Sequence, residues 1–158
     1  MKKELFDKLF EVMRKNKKVY LIFVGLGYPR LEEFKEKFGD RAINTEAAEQ
    51  TAMDIAVGLA YSEKIPFIYT ITPFLLRGFE TIRTYINYEN LNVKMIGAGV
   101  DDQYSRHDGF SHEACDIPNI LYTLRNIIHF YPKTVNDMNN MIDRMVKDKR
   151  PSFINVSK

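Results

Sequence analysis

Apolar residues fall at two spacings along this chain, and the two alternate. Leu5, Phe6, Leu9, Phe10 and Met13 recur at helical spacing between charged residues, which predicts an amphipathic first helix. Val19 to Val24 (VYLIFV) is continuously apolar, as suits a strand buried on both faces. Gly25-Leu26-Gly27-Tyr28-Pro29 then predicts a turn, and Pro29 to Phe38 a short helix with Leu31, Phe34 and Phe38 on its apolar face. Gly39-Asp40 ends that helix and Arg41 to Asn44 reads as a short strand. Asn44 to Ala60 (NTEAAEQTAMDIAVGLA) follows as a helix that Asn44 or Thr45 can cap. Ile65 to Ile71 (IPFIYTI) is a second apolar strand, with Pro66 tolerable at its start. Phe74 to Tyr88 reads as a helix with Leu75, Phe79, Ile82 and Ile86 facing inward, and Val93 to Ala98 as a strand. A polar loop, Gly99 to Glu113, leads to a short helix with Asp116 as cap and Pro118 in its first turn. Ile127 to Tyr131 is a further strand. Thr134 and Asp137 form a capping-box pattern ahead of a helix lined by Met138, Met141, Ile142, Met145 and Val146, and Ser152 to Val156 is a last strand.

Apolar strands alternating with helices predict an α/β fold, a three-layer α/β/α sandwich around a mostly parallel sheet. Neither an internal repeat nor a linker composition interrupts the pattern, so residues 1–158 are expected to form one domain. Ligands of such sheets bind at the carboxyl ends of the strands. Here those ends are residues 25–28, 44–49, 70–77, 97–113 and 131–133.

Charge narrows the function. The 23 basic and 21 acidic residues are interspersed, which gives little support to a nucleic-acid platform. No apolar run is long enough to span a bilayer, and the charged N-terminal helix lacks the apolar centre of a signal peptide. With Cys115 as its single cysteine the chain has no internal disulfide framework. A cytoplasmic protein is expected. Gly25-Leu26-Gly27 is not a dinucleotide fingerprint, because Arg30 stands in place of the third glycine.

The chemistry centres on Glu49. It shares a helix face with Ala52, Met53, Ala56 and Ala60, a row of small apolar residues against which a flat ring can pack. From spacing alone two readings stand. Glu46 and Glu49 can simply complement the positive end of the helix dipole. Alternatively, Glu49 is a desolvated carboxylate that hydrogen-bonds a ligand.

The stretch INTEAAEQTAMDIAVGLA resembles the transketolase family segment that reads like "NVGIAEQ…GIAAGLA". The likeness continues through IPFIYTITPFLLRGFETIR, VKMIGAGV and the DG-x-x-H of Asp108 to His112, in the family's order. The region matched is the pyrimidine-binding domain, one half of a thiamine diphosphate site.

That resemblance implies residue roles. Glu49 matches the glutamate that hydrogen-bonds the aminopyrimidine ring and favours its imino tautomer, with Gln50 beside it on the cofactor. Phe74 matches the aromatic residue that packs on that ring. Arg77, one turn on, is a further candidate for the cofactor or for a substrate phosphate or carboxylate. Asp108 and His112 match residues that contact sugar hydroxyls and the reacting carbonyl, and His107 is an additional polar candidate. His112 and Glu49 are the two residues expected to act in catalysis. Departures from the pattern are Phe110 for a proline, Glu113 for a second histidine, and Ile71 where deoxyxylulose-phosphate synthases carry a tyrosine. Glu113 would repel an anionic sugar tail. His129, inside an apolar strand, and Cys115 are expected to be structural.

A complete enzyme of the family also needs a diphosphate-binding domain with a GDG motif, and this chain has no GDG. It also lacks the family's C-terminal domain. The resemblance therefore implies a separate partner, a diphosphate-binding (N-terminal-section) transketolase subunit. The expected assembly is an α2β2 heterotetramer in which the partner holds the Mg2+ or Ca2+ ion. No metal ligand is expected in this chain. The expected activity is transfer of a two-carbon ketol unit from a ketose to an aldehyde sugar or sugar phosphate. Alternatives are one chain of a split thiamine diphosphate-dependent 2-oxoacid decarboxylase or dehydrogenase, a deoxyxylulose-phosphate synthase-like enzyme, or a non-catalytic regulatory subunit.

Overall fold

A computed structural model describes residues 1–25 and 30–157. Six strands form one sheet in the order β2-β1-β3-β4-β6-β5, every neighbouring pair parallel. They are β1 (Val19–Phe23), β2 (Ala42–Asn44), β3 (Ile65–Ile71), β4 (Lys94–Ala98), β5 (Ile128–Phe130) and β6 (Ser152–Val156). Helices cover both faces, which confirms the three-layer α/β/α sandwich. Successive residues of each strand point to opposite faces, so the strands feed two cores. Leu21, Phe23, Phe67, Tyr69, Ile96 and Ile154 face α1 (Lys2–Lys15), α2 (Leu31–Phe38) and α7 (Val135–Lys147). Ile22, Ile68, Met95 and Phe153 face α3 (Glu49–Tyr61), α6 (Ile117–Tyr122) and the segment from 72 to 88. Double burial explains why β1 and β3 read as near-unbroken apolar runs. Among the described residues, no helix is long and apolar enough to cross a membrane.

Most predicted elements are present, and the Thr134–Asp137 capping box forms in both directions. Two expectations change. The turn predicted at residues 25–29 is not one of them, since it falls largely on residues 26–29, outside the described residues.

Asn44 and Thr45 do not cap α3, and neither does Asp116 cap α6 by its side chain. Instead the Asn44 side chain closes a local turn, accepting from the Glu46 amide at 3.1 Å and donating to the Glu46 carboxylate at 2.8 Å. Glu46 takes a left-handed φ of 52° there, and its carbonyl accepts from the Gly25 amide at 2.6 Å. The helix therefore opens only at Glu49, as its first residue.

The helix predicted over 74–88 is not uniform. Thr72–Gly78 is 3-10 helix, α4 (Phe79–Thr81) is a single α turn, and Ile82–Tyr88 is π-helix. Pro73 stands near the start of the 3-10 stretch. The Thr84 hydroxyl donates to the Glu80 carbonyl at 2.7 Å, a contact that competes with the helix ladder.

A candidate active site at the carboxyl edge of the sheet

The chain runs β1 to β2 on one side of the sheet and then crosses β1 to reach β3, so the topology reverses between β1 and β3. Such a reversal opens a crevice at the carboxyl ends of the strands. Three segments meet at this edge: the start of α3 after β2, the 3-10 turn after β3, and residues 99–115 after β4. Thr72 ties two of them together. Its hydroxyl donates to the Gly99 carbonyl at 2.6 Å, with the Asn155 side chain of β6 at 2.9 Å.

Glu49 leads the α3 face that packs on the sheet. It is 5% exposed, alongside the fully buried Ala52, Met53 and Ala56. Ile55 and Leu59, elsewhere on α3, are only partly buried. A carboxylate so placed has lost most of its water and needs a partner. Among the described residues its hydrogen-bond partner is Arg77, whose Nη1 lies 3.4 Å from Oε2. That is long for a charge-assisted bond.

Arg77 has a second contact. Its guanidinium lies over the Phe74 ring, 4.3 Å from the centroid. Phe74 in turn meets the His112 ring edge-on, with centroids 4.9 Å apart. Glu49, Arg77, Phe74 and His112, named from three separate stretches of sequence, therefore form one continuous chain of contacts. The close approach of the 3-10 turn to α3 depends on Gly78. A Cβ there would stand 2.5 Å from Met53 Cγ and 3.3 Å from Met53 Cβ.

The other candidates lie outside this chain of contacts. The Gln50 amide donates to Thr81 at 2.7 Å and to Asp54 at 3.1 Å, bracing α3 against α4. His107 and Asp108 are exposed on the last turn of α5 (Ser105–Asp108), in the same loop as His112. Burial and then the Asp108 carboxylate push the Tyr104 phenol up. His112 is half-buried, its Nδ1 3.1 Å from the Ser111 hydroxyl.

Glu113 does something the sequence did not reveal. Its carboxylate accepts from Cys115 Sγ at 2.6 Å and from the Ser105 hydroxyl at 2.5 Å, closing the loop that carries Asp108 and His112. These two donors, Cys115 first, hold its carboxyl below the ordinary value. The same contact raises the Cys115 thiol to about 11, which disfavours the thiolate form. Serine, glutamate and cysteine at this spacing carry no recognisable pattern, so only the fold could bring them together.

His129 lies in β5 among Tyr122, Tyr131 and Phe153, with ring centroids 5.3 to 6.3 Å away, far along the sheet from β2. Burial pushes its imidazole down.

The parallel α/β sheet thus carries a buried carboxylate, a neighbouring aromatic face and a histidine at its carboxyl edge, the place where folds of this class hold ligands. Residues 8–158 match the model of the transketolase pyrimidine-binding domain, and the chain belongs to that family. It is 28% identical to a Methanocaldococcus jannaschii protein described as a transketolase C-terminal section, over 98% of this chain and 49% of that protein. It is 29% identical to one of the subunits of the apulose-4-phosphate transketolase of Actinobacillus succinogenes, over 79% of this chain and 40% of the relative. A solved split gene transketolase, an inactive beta4 tetramer, superposes with a TM-score of 0.86 at 26% identity, covering 99% of this chain and 50% of that one. The chain thus spans about half the length of the relatives it matches.

Proposed function

We propose that this chain is the pyrimidine-binding subunit of a split, thiamine diphosphate-dependent transketolase-like enzyme. It would transfer a two-carbon ketol unit from a ketose to an aldehyde sugar. The observation that carries this is Glu49, a carboxylate 5% exposed at the carboxyl edge of the sheet, beside the Phe74 face. Those residues fit an aminopyrimidine. The carboxylate holds one long contact to a nitrogen-rich planar group, and that group stacks on the aromatic ring. Bound there, thiamine diphosphate supplies a carbanion-stabilising centre that lets a bond next to a carbonyl break and re-form.

This chain's residues would prepare that chemistry. Glu49 shares a proton with the pyrimidine ring nitrogen, and burial keeps water from competing for it. Phe74 orients the ring by area without offering a rival hydrogen bond. His112, packed edge-on against Phe74, polarises the sugar carbonyl or moves a proton at its oxygen. Asp108, His107 and Gln50 are secondary candidates, the first two for sugar hydroxyls.

A diphosphate-binding subunit with its Mg2+ or Ca2+ ion would complete the site, in an α2β2 assembly. The names of the split relatives support a divided enzyme of this kind. Mixing the chain with such a partner, thiamine diphosphate, magnesium, a ketose and an aldehyde should yield ketol transfer that neither chain supports alone. Carbon dioxide release from a 2-oxoacid, without ketol transfer, would overturn the assignment.

A further inference from the structure

Arg77 makes two contacts at once, and both engage groups that an aminopyrimidine needs. Its Nη1 reaches the Glu49 carboxylate at 3.4 Å while its guanidinium lies 4.3 Å from the Phe74 centroid. The backbone directs this. Phe74 and Arg77 are three residues apart in a 3-10 helix, where positions i and i+3 eclipse and project from one face. Gly78 then lets the turn press onto α3 beside Met53. A guanidinium is planar, stacks on rings and is weakly hydrated, so it can lie flat on Phe74 and still donate to a carboxylate. An aminopyrimidine has the same outline: a flat nitrogen ring with one edge for Glu49 and one face for Phe74.

We propose that Arg77 is a gate, occupying the aminopyrimidine's place on Glu49 and Phe74 and swinging out when the ring arrives. This rests on the thiamine diphosphate reading of the site. The arrangement answers a physical need. A carboxylate 5% exposed is costly to leave without a counter-charge, and Arg77 supplies one. Arg77 is itself 54% exposed, so it can leave toward solvent without opening a cavity. Its long bond to Glu49 is also easily exchanged for a shorter one. A swung-out guanidinium at the site's mouth becomes free to meet an anionic group.

The gate predicts a sign that a binding role for Arg77 does not. The test is an NMR titration of the full chain with 4-amino-5-hydroxymethyl-2-methylpyrimidine, the uncharged aminopyrimidine half of thiamine. This probe carries no phosphate, so any help Arg77 gives to anions is absent. Arg77→Gln should bind it about five-fold tighter than the wild type, the size of one exposed ion pair plus one cation–π contact. Arg77→Lys, which keeps the charge but not the flat stack, should fall between. In the wild type the Arg77 Nε–H signal should shift as the probe binds, and Glu49→Gln should weaken binding in either background. Melting curves establish that each variant is folded. Equal affinity of Arg77→Gln and wild type, or weaker binding by Arg77→Gln, would overturn the gate while leaving the site assignment in place. Absence of any Glu49-dependent binding at millimolar probe, both by the chain alone and by its mixture with the diphosphate-binding partner, would remove both.

Discussion

Glu49 is the residue on which the functional account turns, and its partners set what substitution will do. Glu49→Gln keeps the shape and can still donate or accept one hydrogen bond, but it cannot share a proton with a ring nitrogen. In the reconstituted complex, turnover should fall by orders of magnitude, on the order of the 10²–10⁴-fold that general acid–base groups contribute. The melting temperature should change little, because the bond lost is a single long one to a half-exposed arginine. Wild-type turnover by Glu49→Gln would take the residue out of the mechanism. A second residue-scale prediction concerns His129. Burial holds its pKa below 6.5 in the folded chain, so between that value and 6.5 the unfolded chain binds more protons. Stability from this group is therefore present above 6.5 and lost as pH falls below it. His129→Phe keeps the aromatic packing and should lessen the drop in urea midpoint between pH 7.5 and pH 5. An unchanged drop would show that other groups govern it. At this scale the sequence singled out Glu49, Phe74 and His112 through their resemblance to family motifs, and the structure brings them to one edge of the sheet. The sequence was silent about Arg77 reaching Glu49, because that contact depends on two elements meeting across 28 positions.

Element boundaries decided how the site is presented. Apolar spacing was least ambiguous for β1 and β3, the near-continuously buried runs. It placed the start of α3 too early, because the Asn44 side chain that could have capped the helix instead closes a turn through Glu46. The shift leaves Glu49 in the first turn, beside the free amides of the helix end. Spacing also missed the change from 3-10 to α to π helix over 72–88, since inward residues at Leu75, Ile82 and Ile86 satisfy an α pattern equally well. The 3-10 portion is functional in this account, because it aligns Phe74 with Arg77. Gly78 holds that turn against α3 by having no side chain, with φ near −108°, a value open to any residue. Gly78→Ala should therefore act through space alone. Adding one methyl against Met53 should destabilise the chain by about 1–3 kcal/mol in urea unfolding, and Met53→Ala should relieve part of that loss. Full stability of Gly78→Ala would mean that the turn is not pressed against α3.

At the scale of the whole molecule, the α/β fold gathers Glu49, Phe74, Arg77 and His112 at the carboxyl edge of its sheet. Phe74 and His112 are half-buried and Arg77 half-exposed, so their side chains remain accessible at this edge. Fold class was legible from the alternation of strands and helices. The strand order was not, since pattern alone does not say that β6 inserts between β4 and β5. Nor does it say that β2 and β3 flank β1, the reversal that brings Glu49 beside the turn after β3. The buried Glu49 carboxylate beside Phe74 and the names of the split relatives motivate the central proposal, that this chain binds the pyrimidine half of thiamine diphosphate and a second chain holds the rest. Calorimetric titration of thiamine diphosphate with magnesium is the direct measurement, made on this chain alone, on the diphosphate-binding partner alone and on their mixture. The account predicts tight, saturable binding only in the mixture, abolished or strongly weakened by Glu49→Gln in this chain. Tight binding by the isolated chain, or binding by the mixture that ignores Glu49, would contradict it.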